Sequence, residues 1–357
     1  MYYKNINIIA LPVLVLAIGI LIIIFSDAVF AASLVGLNLW FTRVLPGVLP
    51  FLIIVNILMR LGAVDALGVI FAPFMRLFFR LPGITGFALV AGIVSGYPVG
   101  AKVVCDMYKQ DMLTKKEAQR TLAFANNAGP LFILGSVSSM FGNVIYGYFI
   151  LIIHYLSAIT LGIILSCIAN VHEKPRSKFL NKHAYSSFKN TGDWTLNDVR
   201  YIDKNSKKIA NKNSILKEAY SSIEASKSTE PFGNILAQAV SSAMEVMLMI
   251  GGFIVLFSII SQLLISTFDV DSILNAAIFA GIIEMTNGVY LISQMGHTLH
   301  LLIIAASLIS FGGFSIFFQS VSFMSKTGLS VKLYFLSKLA HVLLTIIIGI
   351  LLSSFVF

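Results

Sequence analysis

Apolar runs of membrane length, separated by short polar punctuation, divide the chain into helical blocks. Ile8 to Phe25 and Val144 to Ile168 each approach the roughly 20 residues that cross a bilayer core. Read in this way, the sequence predicts about seven spans: 8–25, 37–59 with Pro46 and Pro50 inside it, 122–140, 146–169, 235–265, 301–324 and 333–357. Gly142 and Asn143 turn the chain between the third and fourth. Residues 61–80 are also apolar but carry Asp65, Pro73, Arg76 and Arg80, which suits a helix lying along the membrane interface.

Two apolar segments break the pattern. Pro82 to Met107 is interrupted by Ser95, Gly96, Tyr97 and Pro98, and a helix cannot run straight through that proline without losing a hydrogen bond. Arg76 and Arg80 precede the segment, while Lys109, Lys115, Lys116 and Arg120 follow it. Positive charge on both flanks predicts that both ends face the cytoplasm, and therefore a re-entrant helical hairpin with its tip near Ser95 to Pro98. A kinked full span is the competing form. The second segment, Ser266 to His300, contains no Lys or Arg and centres on Glu284, Thr286, Asn287 and Gly288, as expected of a hairpin entered from outside. Counting crossings from a cytoplasmic N-terminus puts Val171 in the cytoplasm and the C-terminus outside.

Composition agrees with this reading. Hydrophobic residues make up 57% of the chain, charged residues 11%, and the mean hydropathy is +0.89, too little polar surface for a soluble globule. The formal charge of +9 does not point to nucleic acid, because 12 of the 25 Lys/Arg lie between Val171 and Pro231, where a cytoplasmic loop should be basic. That loop is rich in Ser, Asn and Lys and is expected to be flexible. Cys105 and Cys167 have no disulfide or metal spacing and read as packing residues. The N-terminal run is longer than a signal-peptide core and reads as a retained span.

The chain contains a repeat. AGIV at 91–94 matches AGII at 280–283, and AGPLFILGSVSSM at 128–140 matches GGFSIFFQSVSFM at 312–324, in the same order and at similar spacing. The topology above turns the second copy upside down, giving a first repeat over 37–170, a basic loop over 171–231 and an inverted second repeat over 232–357, after an N-terminal span and connector over 1–36. Inverted repeats commonly place a solute site near the midplane between them.

Four stretches carry a family resemblance: GIVSGYPVGAK from Gly92, AFANNAGPLFILGSV from Ala123, GIIEMTNG from Gly281 and SFGGFSIFFQ from Ser310. Together they resemble the YlbJ-type sporulation integral membrane proteins, which carry a nucleoside-recognition or Gate domain. The resemblance implies an all-α polytopic membrane protein distantly like the concentrative nucleoside transporters, whose two hairpins and unwound helices form the solute site. It also implies a role in endospore development, in a cell or forespore membrane.

Candidate residues are weighed against structural roles. Glu284 is a carboxylate inside an apolar run and reads as a solute contact or coupling-ion carrier, against a role bracing its hairpin. Glu245, the second ion-coupling candidate, sits nearer the cytoplasmic end of its span and reads equally as an interfacial residue. Asn126, Asn127, Thr286 and Asn287, with Ser315 and Gln319, could face a solute or join helices by hydrogen bonds. Ser95, Gly96 and Tyr97 complete the set at the first tip, although Gly92, Gly96 and Gly100, four residues apart, also suit close backbone packing. Lys102 and Asp106 should form an ion pair within one helix, and His154 and His341 are expected to make hydrogen-bonded helix contacts. Catalytic, phosphate-loop and metal motifs are lacking, so no enzyme and no cofactor are expected. The expected partners are the bilayer and a small polar or anionic solute, dipicolinate first and nucleoside-like molecules second, with a homo-oligomer left open. The alternative is a non-transporting assembly factor for the spore cortex or envelope.

Overall fold

A computed structural model describes residues 2–61, 63–169, 230–268 and 272–356. The expected basic loop therefore lies, over 171–229, outside the described residues. Those described are helical throughout, with no strand among them. In chain order the helices are α1 (Tyr2–Ile24), α2 (Ser26–Leu39), α3 (Leu45–Arg60), α4 (Ala63–Phe74), α5 (Thr85–Ser95), α6 (Val99–Lys109), α7 (Lys115–Ala125), the short α8 (Ser138–Met140) and α9 (Val144–Ile168). The second half contains α10 (Phe232–Phe268), α11 (Ile273–Ile283), α12 (Met285–Gln294), α13 (Leu299–Phe311), α14 (Gly313–Met324) and α15 (Val331–Val356). Wider π-helical turns follow α2, α4 and the stretch after α7.

Among the described residues four segments are long and apolar enough to cross a membrane: Val144–Ile168, Phe232–Ile265, Leu299–Met324 and Val331–Ser353. A fifth arises if Val15–Ile24 and Ser26–Thr42, which bend by 102° at their junction, are counted together. The expected spans at 37–59 and 122–140 are interrupted instead. A π-helical turn over Trp40–Val44 precedes Pro46 and Pro50 in the first, and residues 126–129 are non-helical in the second. Within the 61–80 interval Ala63–Phe74 form α4 and Met75–Phe79 its π-turn, with Met75 and Phe79 buried and Leu77 and Phe78 exposed.

Both odd segments fold back on themselves. A Cβ added to Gly92 would lie 3.3 Å from the Gly100 Cα, so α5 and α6 run antiparallel with their backbones touching around Gly96. A Cβ on Gly288 would lie 2.2 Å from the Gly281 Cα, and α11 and α12 close in the same manner around Glu284. Glycine is required at Gly92, Gly100 and Gly288 because backbone approaches backbone, while a Cβ on Gly281 would meet the Leu308 side chain at 2.5 Å. Each tip then rests on the break of the helix that follows it. Gly96, at φ 75°, faces Gly129, while Gly313, at φ 72°, lies against the Met285 amide and the Gly281 carbonyl. The internal sequence match pairs Gly92 with Gly281 and Gly129 with Gly313, and the second pair each touches the tip of the hairpin that precedes it.

Long-range contacts hold the halves together. α10 lies along α2 and α3, where Trp40 Nε1 donates to the Met247 carbonyl at 3.1 Å and Asn56 donates to the Ala239 carbonyl at 3.2 Å. One core packs α3, α5, α6 and α7 against α10 and Phe317; a second joins α9 to α11, α12 and α13. A third contains the stacked pair Phe79 and Phe124, with ring centroids 4.5 Å apart, against which Gly162 of α9 fits. α7 begins at a capping box, Thr114 accepting from the Glu117 amide while Glu117 accepts from the Thr114 amide.

Candidate functional site

The first tip, the second tip, the first helix break and α14 converge on one cavity of about 50 Å³. Its walls include Ser95, Gly96 and Tyr97 of the first tip, Ala128 and Gly129 of the first break, Glu284 and Thr286 of the second tip, and Gln319 of α14. Val48, Ile250, Ile254 and Ile316 supply apolar surface. Six of the residues singled out in the sequence are thus brought together from positions more than 200 residues apart. Ser95 Oγ is buried and has no hydrogen-bond partner in the protein, which leaves it for a water or a solute. At roughly 10–15 Å³ for the first water, a space of this size admits a few waters at most.

Other predicted residues stand behind the wall. Glu284 is buried and caps α12, its carboxylate accepting from the Asn287 amide at 2.8 Å and from Thr286. Asn287 donates its side-chain amide to Ser258 of α10 at 2.9 Å, and Ser315 accepts from the Gln319 amide at 3.2 Å. Glu245 does not join this set. It is exposed on α10 and lines a separate, wider cleft of about 460 Å³ with Lys102, Ser242 and Met249. Lys102 and Asp106 form the expected ion pair at 2.8 Å, and Lys109 approaches the same carboxylate at 3.6 Å.

The unwound stretch at 126–129 is saturated by side chains rather than left open. Asn126 accepts from the Ala101 amide at 3.2 Å and donates to Ser320 Oγ at 3.0 Å and to Tyr334 Oη at 2.7 Å. Its carbonyl receives Lys338 Nζ at 2.6 Å. The Ala128 amide donates to His154 Nε2 at 3.2 Å, and Tyr155 Oη donates to the Ala128 carbonyl at 2.6 Å. Asn127 donates to the Phe124 carbonyl at 2.6 Å, and its Oδ1 is buried without a partner. The freed backbone groups here are therefore largely taken by side chains of the protein. Glu284 occupies the start of α12, the Asn126 side chain occupies the start of α6, and two of the freed carbonyls already have donors. Unsatisfied backbone groups cost several kcal/mol in hydrocarbon, and these side chains remove that cost.

Sequence reading missed the most polar part of this wall. Lys338 lies inside an apolar helix, 1% exposed, with its Nζ 4.9 Å from the Tyr97 ring centroid and 5.7 Å from that of Tyr334. The available signal was a lysine eight residues into a 26-residue apolar helix. His154 and His341 make helix contacts as expected, but together: their rings are 5.0 Å apart and His341 Nε2 donates to the His154 carbonyl at 3.1 Å. His154 Nε2 accepts from Ala128, so its proton is on Nδ1, which donates to Ser310 Oγ at 2.9 Å. Tyr97 Oη closes the group by donating to the Ile309 carbonyl. Among the described residues no cluster of three or more His, Cys, Asp or Glu could hold a metal ion.

Comparison with known proteins identifies the family. The family model described as nucleoside recognition, Gate, matches residues 41–169, which contain the first hairpin and the first break. The sporulation integral membrane protein YlbJ of Bacillus subtilis (strain 168) is 30% identical over 333 residues, covering 88% of this chain and 74% of that protein. No solved structure matches. The chain belongs to the YlbJ family of sporulation integral membrane proteins, with a nucleoside-recognition Gate domain in its first half.

Proposed function

We propose that this sporulation membrane protein is a permease for a small polar or anionic solute, with dipicolinate the first candidate and nucleoside-like molecules the second. The observation that carries the reading is the convergence of two hairpin tips and the first helix break on one cavity lined by Ser95, Tyr97, Glu284, Thr286 and Gln319. In this reading the hairpins are re-entrant from opposite faces of about seven spans, the two halves form an inverted repeat, the N-terminus is cytoplasmic and the C-terminus outside. Broken helices persist in a membrane where protein or a solute path covers them, and the first break lies in the wall of this cavity. Dipicolinate fits the setting because it is a small dianion that has to cross spore membranes. A cavity of about 50 Å³ is too small for it, so the present conformation is an occluded one and transport requires the tips to separate. Glu284, at the second tip, is the candidate for a coupling cation or proton. No catalytic step is assigned.

Proteoliposomes containing the purified chain, offered labelled dipicolinate or uridine, test the reading. Saturable uptake above protein-free vesicles is expected. Neither uptake nor binding by folded protein would favour the assembly role, in which the hairpins only pack.

A further inference from the structure

An anionic solute needs a positive partner, and the helix N-termini at both tips, which would otherwise attract an anion, are taken. The start of α12 is capped by Glu284, and the Ala101 amide at the start of α6 donates to Asn126. The buried side chain left to supply charge is Lys338. It donates one hydrogen bond, to the Asn126 carbonyl, of the three an ammonium can make, and it has no acidic partner among the described residues. Its other neighbours are the faces of Tyr97 and Tyr334. A cation buried in a membrane protein without an acid is costly and marks a pathway or a counter-ion site.

Its position relates it to the cavity. The Tyr97 ring, which lines the cavity, is 4.9 Å from the ammonium. Asn126, which holds the ammonium, is two residues from Ala128 in the cavity wall, a reach of about 7 Å of extended chain. One aromatic ring and one short strand of backbone therefore separate the charge from the space where a solute would lie. The further titratable neighbours on this side are His341 of the same helix and His154 of α9. Both face the cluster without an acid, and His341 Nδ1 is buried and unpartnered.

We propose that Lys338 is the countercharge for a carboxylate of the transported solute, screened from the cavity in this conformation by the Tyr97 ring. The proposal rests on the permease reading and adds to it the side chain that would select a carboxylate over a neutral solute. When the first tip moves, Tyr97 leaves the ammonium, and the solute carboxylate takes the face that the ring covered. A neutral nucleoside has no group that gains from this exchange.

Equilibrium binding to the full chain in lipid nanodiscs tests it, using pyridine-2,6-dicarboxylate and the uncharged pyridine-2,6-dicarboxamide of similar shape. The wild type is expected to prefer the dicarboxylate. Lys338→Gln should weaken dicarboxylate binding about 30-fold or more, as removal of one member of a buried charge pair does, and leave dicarboxamide binding in place. Lys338→Arg should retain the preference. Tyr97→Ala, which keeps the lysine and removes its screen, should raise the association rate of the dicarboxylate relative to that of the dicarboxamide, an arm that holds even if Lys338→Gln does not fold. Equal losses for both ligands would make Lys338 a structural tie on Asn126 and overturn the inference, as would dicarboxylate binding unchanged by Lys338→Gln or by Tyr97→Ala. Failure of the folded wild type to bind the dicarboxylate would overturn the anionic-solute reading itself.

Discussion

Substitution of Asn126 by Leu tests the way the first break is held. The side chain is buried and has three hydrogen bonds, one from the Ala101 amide and two to Ser320 and Tyr334, while its carbonyl is tied to Lys338. Leucine has similar bulk, so the loss is mainly polar. Side-chain hydrogen bonds between membrane helices contribute on average about 0.6 kcal/mol each, so three give about 2 kcal/mol. The Ala101 amide is then left buried without an acceptor, adding about 1–3 kcal/mol. Part is recovered because Tyr334 Oη and Ser320 Oγ remain bonded to each other at 3.1 Å. A net loss of about 2–4 kcal/mol is expected in SDS-driven unfolding from mixed micelles. Asn127→Leu is the internal control, because Asn127 has one hydrogen bond, to the Phe124 carbonyl, and it should cost about 1 kcal/mol or less. Equal losses at the two positions, or a change at Asn126 below about 1 kcal/mol, would refute the view that Asn126 anchors the break.

Gly288→Ala places a methyl 2.2 Å from the Gly281 Cα and should cost more than about 3 kcal/mol, whereas Gly135→Ala, with nothing within 4 Å, should stay within about 0.5 kcal/mol in the same unfolding assay. Thr114→Ala removes the capping box of α7 and should lower stability by about 1 kcal/mol without changing solute binding. Glu284→Ala should cost about 0.5–2 kcal/mol through loss of the α12 cap, and Glu284→Gln less, since an acceptor oxygen remains. If Glu284→Gln also transports like the wild type, Glu284 is a cap alone and leaves the solute site.

Much of the site was legible because hydrocarbon is intolerant of broken helices. Ser95 to Pro98 and Glu284 to Gly288 stood out as polar interruptions of apolar runs, and both prove to be hairpin tips at one cavity. The internal match was legible in part for a related reason. Gly313 sits where a Cβ would lie 2.9 Å from the Met285 amide nitrogen, whereas Gly129 meets the first tip at ordinary contact distance. The 102° bend after Ile24 was not legible, since Phe25 and Ser26 carry no proline or glycine signal. Lys338 was hidden in another way. Its partner Asn126 is 212 positions distant, and nothing local in α15 shows that the lysine points at an unwound carbonyl rather than at lipid. Asn126 itself was recognised as a helix breaker, but the identity of its partners depends on how α14 and α15 pack against α7, which periodicity does not reveal.

The central claim is that a solute binds between the two tips. Ser95→Cys, in a chain whose native Cys105 and Cys167 are replaced, puts a thiol at the unpartnered cavity position for labelling by a small methanethiosulfonate in proteoliposomes. The account predicts that dipicolinate slows this labelling in proportion to its occupancy, while leaving a thiol at the exposed Glu245 position unaffected. Labelling of Ser95→Cys at the same rate with and without solute, in vesicles that take the solute up, would contradict it.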